Sequence, residues 1–218
     1  MIHILEADSI QLDFDLKRIL SDVYIKCETG KITGLLGRNG QGKTCLMNII
    51  CGSLLAASKS VRFDKISIID AYKRPDLLLF LPQFNFIPKS LSLKRIFSDF
   101  NLSYPEFEKI FPEFQSKYTS SIKNLSGGQR RLTEVYVIIK SKTQFALLDE
   151  PFSHLMPLHI QKVKEILLEE KHNKGFLITD HMYKQIIDVS DSLYILKDGK
   201  THGSKNLNDI EALGYARV

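Results

Sequence analysis

The fold is decided by residues 37–44, which read Gly37-Arg38-Asn39-Gly40-Gln41-Gly42-Lys43-Thr44. This octapeptide fits the pattern G-x-x-x-x-G-K-[ST] and lies between an apolar segment typical of a strand, 32–36, and apolar residues at helical spacing, 46–50. In such a loop the glycines let the backbone curl, so that successive N–H groups point at phosphates beside a positive helix N-terminus. The sequence therefore predicts a phosphate-binding loop between a strand and a helix.

The last residues of this loop indicate its ligand. We expect the Lys43 ammonium to reach the β- and γ-phosphates of a nucleotide, and the Thr44 hydroxyl to contact Mg²⁺. We also predict that the next residue, Cys45, contacts the nucleotide. A glycine-rich turn that merely precedes a helix is the alternative, and it is disfavoured because pattern and context agree. Mg²⁺-ATP is the predicted ligand.

Two carboxylates end an apolar run farther along the chain. The run at 145–148 is typical of a central strand in a parallel sheet, so Asp149 and Glu150 fall at the carboxyl edge, where α/β folds bind ligands. We predict that Asp149 holds Mg²⁺ and that Glu150 polarises the water attacking the γ-phosphate. The alternative is that the two carboxylates simply end the strand on a solvated loop. This alternative is less favoured because the same chain carries the glycine loop.

A third motif, Leu125-Ser126-Gly127-Gly128-Gln129, stands before an apolar stripe at helical spacing, 132–139. A serine able to cap a helix, followed by two glycines with bare backbone donors, makes a second anion site. An ordinary N-cap is the alternative. Two phosphate sites in one chain suggest that two chains pair.

At this point the sequence resembles the nucleotide-binding subunits of ABC transporters over essentially its whole length. The motifs follow the family order: Walker A at 37–44, Gln83, the LSGGQ signature at 125–129, Walker B at 145–150 and His181. The resemblance implies an ATPase whose two copies stack head to tail, with each ATP between Walker A of one copy and Ser126, Gly127 and Gly128 of the other. It also implies integral membrane transporter subunits as partners.

Three further roles rest on this resemblance. Gln83 matches the family glutamine that contacts Mg²⁺ or the water, and His181 looks like the histidine that contacts the γ-phosphate. Phe14 falls where the family places an aromatic ring that stacks on adenine; a place in a strand core is the alternative. Gln129 completes the signature and is counted with the nucleotide-binding residues.

The chain departs from the family pattern after Glu150. His154 replaces the usual glycine, and Met156 replaces the aspartate that communicates between the two stacked subunits. Coupling of the two ATP sites is therefore in question, whereas hydrolysis is less affected because Glu150 is present. Arg38 stands where proline is common, and Cys45 stands where a second hydroxyl is common.

The resemblance also implies the α/β fold of ABC ATPases. This fold has a P-loop NTPase core with a mainly parallel sheet, an N-terminal antiparallel β subdomain and an inserted α-helical subdomain, here at about 84–131. Residues 1–218 are expected to form one cassette. Helices are predicted after the loop, from about Gly127 and from Pro157. The segments that read as strands are 2–7, 10–14, 23–27, 32–36, 61–63, 66–69, 77–81, 145–148, 176–178 and 193–196. A hairpin turn at 198–199 and a polar tail are predicted at the end.

Aromatic residues concentrate in the predicted helical segment, where nine of the twenty-one in the chain fall between Phe84 and Tyr118. Two roles are open. Exposed rings would suit a contact with the membrane subunits, whereas buried rings would form the core of the subdomain.

Composition narrows the partners and the compartment. The net charge is +5, but the thirty Lys and Arg residues are spread along the chain, so no nucleic-acid partner is expected. The chain has neither an export signal nor an apolar run long enough to span a bilayer. Its three cysteines lack metal or redox spacing. We expect a cytoplasmic protein held at the inner (plasma) membrane by its membrane subunits.

Three functions remain open at this stage. The first is the ATPase subunit of a transporter, with export slightly favoured by the compact build. The second is a soluble family member without a transport role. The third is a nucleotide sensor with little turnover, which the altered residues His154 and Met156 suggest.

Overall fold

The computed structural model describes residues 1–204, and two β-sheets dominate it. The strands are β1 (Ile4–Phe14), β2 (Lys17–Leu20), β3 (Tyr24–Glu28), β4 (Ile32–Leu36), β5 (Ser58–Phe63), β6 (Ile66–Ser67), β7 (Leu78–Leu81), β8 (Phe145–Asp149), β9 (Gly175–Thr179), β10 (Ser192–Lys197) and β11 (Lys200–Ser204). The helices are α1 (Lys43–Cys51), α2 (Leu93–Asp99), α3 (Tyr104–Ile110), α4 (Gly127–Lys140), α5 (Pro157–Glu170) and α6 (Tyr183–Val189).

The larger sheet is mainly parallel and has the strand order β11-β10-β4-β9-β8-β7. Every pairing in it is parallel except that of the edge hairpin β10-β11. All residues of β4, β8 and β9 are buried, which explains why these strands read as unbroken apolar runs in the sequence. The predicted α/β fold is confirmed.

Parallel pairing brings four loops to one edge of this sheet. Because β4, β7, β8 and β9 run side by side in the same direction, the segments that follow them leave the sheet together. These segments carry the glycine loop at 37–44, Gln83, Glu150 and His181. Residues far apart in the chain therefore meet at one end of the molecule.

The second sheet is antiparallel and differs in detail from the predicted strands. The segments 2–7 and 10–14 form one strand, β1, because Ser9 adopts a left-handed φ of 54° and the strand bends there without ending. β5 and β6 pair in this sheet and do not extend the parallel one, and β6 ends at Ser67, before the predicted end at 69. The predicted strand assignment was wrong in these respects.

Two short strands were missed. β2 has two exposed charged residues and too few apolar positions to show a periodic pattern, yet it pairs with the end of β1. β11 belongs to the segment predicted as a polar tail, and it pairs with β10 across the predicted turn at 198–199. The rest of that tail lies outside the described residues.

The predicted helical segment holds α2, α3 and the beginning of α4, and its aromatic residues form a core. Phe107 lies at the centre, with ring centroids 4.5 Å from Phe114, 4.7 Å from Tyr136, 5.0 Å from Phe97 and 5.2 Å from Phe111. These rings are buried. The cluster as a whole is therefore no contact surface, because its members fill the interior of the segment together with buried aliphatic residues such as Ile96 and Ile122.

We expect Phe107→Ala to lower the free energy of unfolding by about 3–5 kcal/mol, because the lost ring leaves a cavity among five aromatic neighbours. The control is Phe84→Ala, since Phe84 is 72% exposed and its loss should change stability by about 0.5 kcal/mol or less. Denaturant unfolding measures both. Equal effects at the two positions would contradict this account of the core.

Candidate active site

A cavity of about 680 Å³ opens at the carboxyl edge of the parallel sheet. Its lining comes from the β1-β2 hairpin, the glycine loop, the start of α1 and the segments after β7, β8 and β9: Phe14, Ile19, Asn39, Gly40, Gly42, Lys43, Thr44, Cys45, Gln83, Glu150 and His181. All of these except Ile19 were predicted as site residues from the sequence. The structure thus brings residues from five separate segments around one space.

The glycine loop depends on the absence of side chains at two positions. Gly42 adopts φ +97°, and a Cβ there would lie 2.9 Å from the Ile19 side chain. A Cβ on Gly37 would lie 2.8 Å from the Leu196 carbonyl oxygen. The loop therefore packs closely against β10 and the β1-β2 hairpin. Gln41 adds to this packing, because its side-chain oxygen accepts a hydrogen bond from the Asp198 N–H.

The loop leaves the start of α1 open to an anion. In the described part of the chain no side chain caps this helix start, which has no acidic residue in its first turn. The first backbone N–H groups of a helix lack partners within the helix and carry partial positive charge. Their position beside the cavity suits a phosphate group.

Lys43 places a buried positive charge at the centre of the loop. Its Nζ donates hydrogen bonds to the carbonyl oxygens of Gly37, at 2.6 Å, and Arg38, at 3.3 Å. Burial lowers the pKa of Lys43, whereas the negative charges of Glu150, Asp149 and Asp180 oppose that decrease. The ammonium is thus held by neutral carbonyl groups that a phosphate oxygen can replace.

Asp149 and Thr44 offer oxygen atoms suited to Mg²⁺. The Asp149 carboxylate is buried, and its Oδ2 has no hydrogen-bond partner among the described residues. Burial raises the pKa of this carboxyl group, and a hydrogen bond with Thr44 opposes the increase. In residues 1–204 no cluster of three or more His, Cys, Asp or Glu could hold a metal by itself. Mg²⁺ is commonly bound by one or two carboxylates together with phosphates and water, so Asp149 and Thr44 could hold it beside a nucleotide.

Glu150, Ser153 and His181 form a connected polar group. Ser153 Oγ donates a hydrogen bond to Glu150 Oε2 at 3.0 Å and lies 3.4 Å from His181 Nδ1. His181 Nδ1 is itself 3.6 Å from Glu150 Oε2. Glu150 adopts a left-handed φ of 53°, which is unusual for a residue with a side chain. Sequence analysis missed Ser153 because a lone serine after Glu150 carries no spacing signal.

Asp180 connects the segment after β8 to the segment after β9 through hydrogen bonds. Its buried carboxylate accepts hydrogen bonds from the backbone N–H of Phe152 and from that of Met182, each at 2.9 Å. Burial raises the pKa of Asp180, and these two backbone bonds oppose the increase. The segment after β8 is thereby tied to the segment after β9. Asp180 was also missed, because its role appears only when the two loops are adjacent.

The signature residues lie outside the cavity lining. Ser126 Oγ accepts a hydrogen bond from the Gln129 N–H, and Gln129 Oε1 accepts one from the Ser126 N–H, so the two residues form a capping box on α4. Gln129 Oε1 also accepts a bond from Lys117. The ordinary N-cap considered in the sequence is thus present. A role of 126–129 in nucleotide binding remains a prediction that requires a second chain.

The altered segment after Glu150 keeps an unusual backbone. His154 adopts φ +65°, a conformation in which glycine is strain-free, and its carbonyl oxygen lies close to Gly128. Met156, in place of the aspartate, is 60% exposed. A polar side chain for communication between subunits is therefore replaced by an exposed apolar one.

The fold and the cavity define a P-loop nucleotide-binding protein of the α/β class. A family model described as ABC transporter matches residues 20–153. The chain belongs to this family, whose members bind nucleotide. ATP hydrolysis is implied by that membership.

The relatives match nine tenths or more of the chain. It is 26% identical to the high-affinity branched-chain amino acid transport ATP-binding protein BraG of Pseudomonas aeruginosa, over 90% of each chain. It is 28% identical to the lipopolysaccharide export system ATP-binding protein LptB of Haemophilus influenzae, over 91% of this chain and 89% of that one. A solved ATP-binding subunit of an ABC transporter superposes with a TM-score of 0.80 at 22% identity, covering 96% of this chain and 92% of the other.

We expect Phe14→Ala to weaken ATP binding about tenfold, because stacking of a base on an aromatic ring contributes about 1–3 kcal/mol. Phe14 is half-exposed and lines the cavity beside Ile19, so its loss should not disturb the core. Phe14→Tyr keeps the ring and is the matched control. Calorimetric titration with Mg²⁺-ATP measures both variants. If the wild type and Phe14→Ala bound Mg²⁺-ATP with equal affinity, Phe14 would not stack on the base.

Proposed function

We propose that this chain is the ATP-binding and ATP-hydrolysing subunit of an ABC transporter, which powers transport through separate membrane subunits. The observation that carries the proposal is the convergence of Lys43, Gln83, Glu150 and His181 on one cavity beside the uncapped start of α1. A phosphate loop, a carboxylate base and a histidine in this arrangement suit hydrolysis of a terminal phosphate.

Each residue has a distinct part in this chemistry. Thr44, Asp149 and Gln83 would hold Mg²⁺, which would supply positive charge to the phosphates when bound. Lys43 attracts the β- and γ-phosphates, because its ammonium is desolvated at the loop centre and bound there to neutral carbonyl groups. Glu150 orients the attacking water and accepts its proton, and His181 contacts the γ-phosphate. The hydroxyl of Ser153 connects these last two side chains.

A second copy of the chain is the partner that completes the site. Ser126 and Gly127 are exposed, and neither belongs to the lining of the cavity in the described part of the chain. Head-to-tail pairing would bring the signature of one copy to the nucleotide of the other. Backbone N–H groups at the start of α4 would then contact the phosphates from the opposite side.

A separate apolar groove of about 390 Å³ suits the membrane subunit. Its lining includes Tyr72, Phe84, Phe86 and Phe100, with Leu79 at the base. Phe84 directly follows Gln83, so a helix seated in the groove would press on a segment that reaches the nucleotide. Phe84, at 72%, is more exposed than Tyr118, at 42%, and most other rings of the aromatic segment are buried. We propose an amphipathic helix of an integral membrane subunit as the occupant.

This partner would hold the chain at the cytoplasmic face of the inner membrane. In the described residues no helix is long and apolar enough to cross a bilayer. The relatives are named for both amino acid transport and lipopolysaccharide export, and the LptB proteins, at 27–29% identity, narrowly exceed BraG at 26%. Export is therefore the proposed direction.

We expect Glu150→Gln to lower steady-state ATP hydrolysis at least about 100-fold, because the amide cannot accept the proton of the attacking water. Unhydrolysed ATP should then hold two copies together. Light scattering after gel filtration in Mg²⁺-ATP measures the dimer, and Lys43→Ala, which should not bind ATP, is the monomeric control. A Glu150→Gln protein that stays monomeric with saturating ATP and its membrane partner would exclude the head-to-tail mechanism.

We expect Phe84→Asp to abolish capture of a polytopic membrane protein from detergent-solubilised native membranes, because a carboxylate in the apolar groove would lose its hydration on docking. Ile66→Asp is the matched control, since Ile66 is exposed on β6, away from the groove. Mass spectrometry identifies the captured chains. Recovery of soluble proteins alone by the wild type would instead favour a family member without a transport role.

A further inference from the structure

Arg131 is a buried cation that the chemistry described above does not use. It lies on α4, two residues after the signature, and is only 3% exposed. Its guanidinium donates three hydrogen bonds to backbone carbonyl oxygens of two other segments. A buried arginine is costly when its donors lack partners, and the buried Nε of Arg131 has none among the described residues. The bonds of the two terminal nitrogens to two loops therefore indicate a specific role for those nitrogens.

Two of the three bonds hold the backbone on both sides of Glu150. One terminal nitrogen of Arg131 donates to the Asp149 carbonyl oxygen at 2.7 Å and to the Glu150 carbonyl oxygen at 3.0 Å. These oxygens belong to the peptide groups before and after Glu150. The torsion angles φ and ψ of a residue relate its two flanking peptide planes to one another. Arg131 therefore fixes both planes that define the conformation of Glu150.

Glu150 needs such support because its backbone is strained. Its φ of 53° lies in the left-handed region, where a residue with a Cβ persists only when its surroundings hold it. The Glu150 N–H donates to the Thr179 carbonyl oxygen at 2.8 Å, which fixes one further point. The carbonyl side is held by Arg131. If the backbone relaxed to an extended conformation, the carboxylate would leave the cavity.

The third bond reaches the segment that carries Gln83. The other terminal nitrogen of Arg131 donates to the Pro82 carbonyl oxygen at 2.8 Å. This oxygen belongs to the peptide group that joins Pro82 to Gln83, so its orientation sets where the Gln83 side chain begins. Since the guanidinium is planar and rigid, its two nitrogens keep the two loops at a fixed spacing.

The negative charges near Arg131 also favour its position between the two loops. The carboxylates of Glu134, Asp149, Asp180 and Glu150 surround Arg131, and their attraction opposes the decrease that burial causes in its pKa. The guanidinium therefore stays protonated with all donors available. The neighbouring Arg130 is buried on the same helix, yet it bonds to Glu134 and to the Ile87 carbonyl oxygen, and to neither catalytic loop.

We propose that Arg131 is a positioning residue for ATP hydrolysis, which clamps the strained backbone of Glu150 and the peptide before Gln83 at a fixed distance. This inference rests on the proposed ATPase function. The three bonds place the hydrolytic residues and leave the phosphate loop untouched. Loss of the clamp should therefore reduce the rate of the chemical step and spare nucleotide affinity.

Arg131→Lys decides the proposal, because lysine keeps the charge but lacks the planar fork that reaches both loops. We expect at least a tenfold lower kcat in this variant, a KM and an ATP dissociation constant within about twofold of wild type, and cooperative thermal unfolding. Arg131→Met should show a larger fall in kcat. The control is Arg130→Met, which also removes a buried guanidinium from α4 and should keep kcat within about threefold.

Four results would overturn the proposal. These are a wild-type kcat in Arg131→Lys, a parallel loss of kcat and ATP affinity, an equal loss of kcat in Arg130→Met, or failure of both Arg131 variants to fold when Arg130→Met folds. The last would assign Arg131 to folding alone. Absence of hydrolysis by the wild-type chain with its membrane partner would instead refute the proposed function, and with it this inference.

Discussion

Parallel pairing of β4, β9, β8 and β7 is the constraint on which the rest of this protein depends. Backbone hydrogen bonds along these strands fix their direction and register, and burial on both faces makes any other register costly. Each strand then delivers one polar segment to the same edge. A phosphate loop, a glutamine, two carboxylates and a histidine meet there because each follows the carboxyl end of one of these adjacent strands.

The carboxyl edge of the parallel sheet also carries several buried charges. Its stability depends on the pairing of positive with negative groups. Lys43 and Arg131 bring positive charge to within reach of Asp149, Glu150 and Asp180, and each cation is bound to carbonyl oxygens. Buried ions cost several kcal/mol each when unpaired, so removal of one member leaves the others uncompensated. The same arrangement suits function. In the proposed mechanism, neutral carbonyl groups would hold Lys43 until phosphates bind, and Arg131 would hold the backbone of Glu150.

One chain carries two parts of the proposed ATP site, and these two parts differ in structure. The phosphate loop and the hydrolytic residues form a cavity, whereas the signature caps its own helix at a surface that lacks a ligand from the same chain. A second copy would supply the missing contacts. The segment between the two halves departs from the family pattern, since His154 keeps a backbone suited to glycine and Met156 exposes an apolar side chain. Contact between copies would therefore be apolar at this point.

The sequence by itself determined the α/β class, the family and all residues that line the cavity except Ile19, because the glycine loop and the buried strands have short-range patterns that chemistry imposes. It misjudged the edge strands β2, β6 and β11, whose exposed residues lack such patterns, and β1, whose bend at Ser9 interrupts its pattern. Only the tertiary structure assigned the aromatic rings to a core and disclosed Ile19, Ser153, Asp180 and Arg131. Their roles arise from contacts between loops that are distant in the chain, and the order of residues carries no periodic signal for such contacts.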